Sequence, residues 1–132
     1  MNRDDSRYDL GRAKMREIFG PDVETAVNVL ATTSPDLARF LVEFPFGDIY
    51  SRPSLNTKTR EMLTVAALTV LGYPQDELKE HIRGALHVGC TDQEILEIIL
   101  QMAVYAGFPA ALKATKTAAA VFAESSEAGR EA

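Results

Sequence analysis

The sequence predicts an all-α protein. Its apolar residues recur at helical spacing. No stretch alternates apolar and polar residues as a half-buried strand does. Glycines at 20, 47, 72, 89 and 107 punctuate the periodic runs. A first helix is expected from about Arg7 to Phe19, stopped by Gly20-Pro21, and a short second one over about Val23–Ala31. Ser34-Pro35 starts the third, with a capping hydroxyl followed by a proline at the first helical position. That helix carries Leu37, Phe40, Leu41 and Phe44 until Pro45 disturbs it, because the ring removes a donor and clashes with the preceding turn. Phe46–Leu55 reads as an irregular connection. Asn56 opens a helix over Thr57–Leu71, Tyr73-Pro74 breaks it, and Gln75–Val88 forms the next, ended by Gly89.

Thr91-Asp92-Gln93-Glu94 fits a capping box, in which hydroxyl and carboxylate each satisfy the other residue's backbone donor. The helix it opens runs to about Ala106. Its polar residues, Gln93, Glu97 and Gln101, recur every four and form one narrow stripe. Ile95, Leu96, Ile98, Ile99, Leu100, Met102 and Val104 cover the rest, which predicts burial on several sides, part of it by another subunit. Gly107-Phe108-Pro109 starts a last helix to about Glu124, and the small, charged tail at 125–132 is expected to fray.

At 132 residues and 46 % hydrophobic, the chain suits a single domain over 1–132 with a sizeable core, and excludes disorder as the main state. The longest apolar stretches, Val65–Leu71 and Ile95–Tyr105, are broken by Thr69, Glu97 and Gln101, so no membrane span is expected. Met1-Asn2-Arg3-Asp4-Asp5 carries no apolar run of the kind a secretory signal has. A net charge of −5 without a basic run argues against nucleic acid as a partner. The one cysteine, Cys90, excludes an intrachain disulfide and a Cys-x-x-Cys pair, and a reducing cytoplasm is the expected compartment.

His81 is the leading candidate for chemistry. Leu78, Ile82, Ala85 and Leu86 define the core stripe of its helix, and His81 lies about 60° to one side of Leu78, at the stripe's edge. Glu77, one turn earlier, is placed to orient it. Two readings stay open: a general acid/base, and a hydrogen-bonded boundary residue. His87 points the other way, so the two histidines do not share a metal, and no metal site is expected. Glu61 is either a buried carboxylate near His81, if the two helices form an antiparallel hairpin, or a solvated residue paired with Lys58. The hairpin register sets Thr64, Leu68 or Glu61 opposite His81. Arg52, Arg60 and Arg83 are candidates for gripping a carboxylate, Arg52 foremost because it sits in the irregular segment before a helix start. Cys90 precedes a helix N-terminus, where a thiolate is stabilised, and is otherwise a small packing residue.

Four pieces occur in order: Ser51-Arg52-Pro53-Ser54-Leu55, Thr59-Arg60-Glu61, His81-Ile82-Arg83-Gly84-Ala85-Leu86 and Tyr105-Ala106-Gly107-Phe108-Pro109-Ala110-Ala111. Together they resemble the carboxymuconolactone decarboxylase family, which belongs with the alkylhydroperoxidase D-like proteins. The resemblance covers about Tyr8 to Phe122. It implies an all-α fold built on a central antiparallel helix hairpin, a homo-oligomer (hexamer or trimer), and a pocket for a small molecule near the histidine helix. His81 aligns with the histidine and Glu61 with the glutamate of the redox branch, while Pro74 and Glu77 stand at its two cysteine positions, so the dithiol mechanism has no nucleophile here. The decarboxylase branch works without a cofactor on 4-carboxymuconolactone, a cyclic acid of aromatic breakdown. The catalytic candidates this implies are His81 and Glu61. The substrate-binding candidates are Arg52, Tyr50 and Phe46, the two aromatics standing where that branch favours tryptophan. Ser54 and His87-Val88 also depart from its pattern. The alternatives are a redox protein lacking the Cys-x-x-Cys pair and an enzyme on another small cyclic substrate.

Overall fold

The computed structural model describes the backbone of residues 3–131 and the side chains of 6–128. The described residues form seven α-helices and one π-helix, with no strand: α1 (Arg3–Phe19), α2 (Val23–Thr33), α3 (Pro35–Leu41), π1 (Val42–Ile49), α4 (Thr57–Leu71), α5 (Gln75–His87), α6 (Asp92–Ala106) and α7 (Phe108–Glu131). The all-α reading is thus correct. None of these helices is long and apolar enough to cross a membrane. The chain divides into two compact units, residues 1–57 and 58–132.

In the first unit, α1 lies against π1 at backbone contact. A Cβ on Gly11 would collide with the carbonyl oxygen of Val42, and one on Gly47 would lie 2.5 Å from that of Arg7. Gly47 is therefore not the break that the sequence suggests but a point of closest approach within a helix. Met15 and Ile18 on α1, Ala38 on α3 and Val42 and Phe46 on π1 are buried. Charge pins the same crossing. Arg7 donates to Asp48 twice, from Nε to Oδ1 at 3.0 Å and from Nη2 to Oδ2 at 2.7 Å. Its Nη1 lies 3.3 Å from Glu43 Oε2, and Arg39 Nε reaches the other oxygen of Glu43 at 3.6 Å. Glu43 is 6 % exposed and needs both cations.

Pro45 disturbs the third helix as expected, but the result is not a loop. The turns widen, and Tyr50 N–H donates to the carbonyl of Pro45, five residues back, at 2.7 Å. A five-residue hydrogen-bond step moves the carbonyl four residues back away from the proline ring, which removes the clash an α-turn would have. The irregular connection accordingly starts at Tyr50, not Phe46.

The second unit is built on α7. Ala111, Ala114, Ala118 and Val121 form its buried stripe, and the alanines let neighbouring helices approach closely. Leu78, Ile82 and Ala85 of α5 and Ile95 and Ile99 of α6 fill the space against it, with Val65 of α4. α5 runs parallel to α7, since Gln75 meets Thr117 and Arg83 meets Glu124. α6 and α7 form an antiparallel pair turned at Gly107, whose φ of 88° suits a residue without a side chain. The capping box is present: Glu94 N–H donates to Thr91 Oγ1 and Thr91 N–H to Glu94 Oε1, each at 3.0 Å. The helix N-terminus thus holds the Glu94 carboxyl below its usual range, chiefly through the Thr91 backbone bond. α7 continues to Glu131, beyond the expected end near Glu124, and Ala132 lies outside the described residues.

The crossing of α1 and π1 yields a stability prediction. Gly11→Ala forces a methyl group into the Val42 carbonyl and lowers the unfolding free energy by about 3 kcal/mol. Gly20→Ala, where nothing lies within 4 Å of the added carbon, costs only the strain of its φ of +83°, about 1 kcal/mol. Urea denaturation of the two variants reads the difference, and equal costs would contradict the close crossing.

Candidate active site

On α4, Glu61, Val65 and Thr69 are the buried positions, spaced four apart on one stripe. A carboxylate thus occupies a place in the row that packs on the core of the second unit. Glu61 is 0 % exposed. On α5, Leu78, Ile82 and Ala85 are buried, and His81 sits at the edge of that stripe with 16 % of its side chain exposed. The two meet: His81 Nδ1 lies 2.9 Å from Glu61 Oε2. Of the three registers the sequence leaves open, the one that opposes Glu61 to His81 is present. The chain passes from α4 to α5 through the short break at Gly72-Tyr73-Pro74, where Gln75 Nε2–H donates to the Gly72 carbonyl at 2.8 Å.

This contact orders the imidazole. An ionised carboxylate only accepts hydrogen bonds, so with Glu61 charged Nδ1 carries a hydrogen and donates it. Nε2 is then the ring atom that gains or loses a proton, on the side of the ring away from Glu61. The second oxygen of Glu61, Oε1, is buried without a hydrogen-bond partner among the described residues. A buried acceptor with no donor is uncommon in a folded protein, and the contact of His81 with the other oxygen helps to compensate the carboxylate.

The remaining candidates fall in different places. Lys58 does not pair with Glu61; its Nζ lies 3.1 Å from Glu94 Oε2. Glu77 is exposed, so the carboxylate that orients His81 comes from α4 and not from one turn earlier on its own helix. Arg83 is held by Glu124 through Nε at 3.0 Å and Nη2 at 2.8 Å, and by Glu80 through Nη1 at 2.6 Å. Those carboxylates raise its pKa and occupy the fork that would grip a ligand. Arg60 is half-buried in the first turn of α4, and His87 is exposed at the end of α5. Cys90 is buried, and burial, with the Glu94 carboxylate next in effect, pushes its thiol above the usual range. The helix start that follows it therefore does not make it a ready thiolate. Among the described residues no group of three His, Cys, Asp or Glu side chains is placed to hold a metal ion.

In the first unit, Phe46 is buried between Phe19 and Tyr50, with ring centroids at 5.8 Å and 5.0 Å. Tyr50 is half-buried and Arg52 exposed in the turn after π1, where Arg52 N–H donates to the Ile49 carbonyl at 3.1 Å. Ser51 Oγ–H donates to the Phe46 carbonyl at 2.6 Å and ties that turn to π1.

Comparison with known proteins agrees with the resemblance drawn from the sequence. The model of the carboxymuconolactone decarboxylase family matches residues 35–120. A 4-carboxymuconolactone decarboxylase of Acinetobacter baylyi is 36 % identical over 120 residues, covering 90 % of this chain and 89 % of the relative. A 15.0 kDa protein from the nqo9-nqo10 intergenic region of Paracoccus denitrificans is 35 % identical over 116 residues, 86 % of this chain and 87 % of that one. The nitrosuccinic acid decarboxylase of Metarhizium robertsii is 34 % identical over 109 residues, 81 % and 75 % of the two chains. With the family pattern spanning α3 to α7 and three relatives matched over most of their length, the chain belongs to the carboxymuconolactone decarboxylase family.

Proposed function

We propose that the protein is a cofactor-free decarboxylase of 4-carboxymuconolactone or a related cyclic carboxylic acid, with His81 as the catalytic acid and Glu61 as the residue that positions it. The observation that carries this reading is the 2.9 Å contact between a fully buried carboxylate and an imidazole that still reaches the surface. Two relatives named as decarboxylases support it. Their named substrates share one electronic feature. Loss of CO2 leaves an electron pair that resonance carries to oxygen, through the C=C bond to the lactone carbonyl in one and onto the nitro group in the other. Such an acid needs no external electron sink.

In the lactone, the bond from the ring carbon to the carboxylate breaks and CO2 departs. Its electron pair moves through the C=C bond into the carbonyl and forms a dienolate. His81, as imidazolium, offers its Nε2 hydrogen to that charge and then transfers the proton to carbon. The ring becomes neutral and keeps the Nδ1 hydrogen on Glu61. Such an acid contributes on the order of 10²–10⁴-fold in rate. Arg52 as anchor for the carboxylate, and Tyr50 and Phe46 as its apolar neighbours, belong to this reading on sequence grounds. A redox role through Cys90 has less support, because a buried thiol with a raised pKa supplies little thiolate at neutral pH.

A homo-oligomer, hexamer or trimer, is part of the same proposal. α6 buries Ile95 and Ile99 within the chain, yet Leu100 is 63 % and Val104 77 % exposed on the same helix, next to exposed Tyr105, Phe108 and Leu112. Contiguous apolar surface of this kind is what a second subunit covers.

Purified protein in chelator is expected to release CO2 from 4-carboxymuconolactone. His81→Ala stays folded and loses on the order of 10²–10⁴-fold in kcat, while Arg52→Ala acts mainly through KM. Full activity in His81→Ala makes the histidine a boundary residue only. Wild-type protein without activity on the lactone rejects the substrate. For assembly, light scattering at micromolar concentration finds a multiple of 14.5 kDa, and a stable monomer would contradict it.

A further inference from the structure

We propose that the Glu61–His81 pair also catalyses hydrogen exchange at carbon in unsaturated lactones that carry no carboxylate to lose. The inference rests on the decarboxylase reading above and extends it to a reaction without CO2. Its ground is the fixed orientation of the imidazole. With Nδ1 2.9 Å from one oxygen of a buried carboxylate whose other oxygen has no hydrogen-bond partner among the described residues, the ring keeps one hydrogen on Nδ1 and works through Nε2. A ring that has just delivered a proton to carbon is therefore a neutral imidazole whose Nε2 lone pair faces the hydrogen it placed. Microscopic reversibility makes that atom the base for the same hydrogen.

The substrate class is a five-membered lactone with a CH2 group between the ring C=C bond and the lactone carbonyl, which is the framework left when 4-carboxymuconolactone loses CO2 and is protonated next to the carbonyl. Nε2 takes one hydrogen of that CH2 as a proton. The C–H electron pair moves into the carbonyl, giving the same dienolate that decarboxylation gives. The imidazolium exchanges its Nε2 hydrogen with solvent and returns a proton to the same carbon. Nothing is oxidised or reduced, and water is the only other reactant. Because His81 serves one face of a bound ring, it exchanges one of the two hydrogens and leaves the other.

The test is proton NMR of this lactone in D2O with purified full-length protein, run beside CO2 release from 4-carboxymuconolactone by the same preparation. The expected result is entry of a single deuteron, stereospecifically, on the order of 10²-fold or more above the protein-free rate. His81→Ala and His81→Gln both return the rate to that blank, and circular dichroism of the pair identifies the variant that keeps its helices. CO2 release without exchange above the blank overturns the inference and leaves the decarboxylase reading standing. Exchange without CO2 release supports the inference and overturns that reading. Absence of both overturns both. Exchange that persists in the folded histidine variant, or that labels both hydrogens at one rate, overturns the assignment to His81.

Discussion

A carboxylate with no exposed surface has to be compensated, and in the second unit an imidazole meets one. Glu61 stands on the same stripe of α4 as Val65 and Thr69, so the packing that buries those residues takes the carboxylate out of water as well. The desolvation of such a group amounts to several kcal/mol. His81 Nδ1 lies 2.9 Å from its Oε2. Loss of one member of a buried pair typically costs about 3–5 kcal/mol, since the other is left uncompensated. The pair therefore couples the placement of α4 to that of α5, and it fixes which nitrogen of His81 meets whatever binds there. Fold and proposed chemistry depend on the same contact.

The first unit depends on a different constraint. Its backbone contact between α1 and π1 exists because Gly11 and Gly47 face carbonyl oxygens of the opposite helix. Arg7 sits one turn from Gly11 and holds Asp48 and Glu43 across the contact. The widened turns of π1 accommodate Pro45 without ending the helix, and they bring Phe46 inward between Phe19 and Tyr50.

Local rules made most of the helix ends legible. Ser34-Pro35, the Thr91–Glu94 box and Gly107 each act through neighbours within four residues, and each marks a boundary of the structure. The proline rule misled at Pro45 because it presumes an α-turn, whereas the chain takes a five-residue step. At Gly47 a local rule predicts a break, since it does not register the Arg7 carbonyl, 40 positions away in sequence. The site was legible in part. Helix periodicity put His81 at the edge of a buried stripe, and the short break at Tyr73-Pro74 brought Glu61 within the possible registers. It did not choose Glu61 over Glu77 as the orienting carboxylate, nor show that Glu124, 41 residues on, engages Arg83. Both depend on tertiary packing. The same spacing that made Glu61 ambiguous held a usable signal, for Glu61, Val65 and Thr69 are four apart and the latter two favour burial.

The proposed chemistry turns on the orientation of the His81 ring. Nitrogen-detected NMR of the full-length protein, labelled with 15N histidine and assigned with His81→Gln, follows the two ring nitrogens as pH is varied. Neutral His81 is predicted to carry its hydrogen on Nδ1 and not on Nε2. Glu61→Gln, which replaces the acceptor-only group by an amide of the same shape, is predicted to release this preference. A neutral His81 with its hydrogen on Nε2 in the wild-type protein would contradict the account.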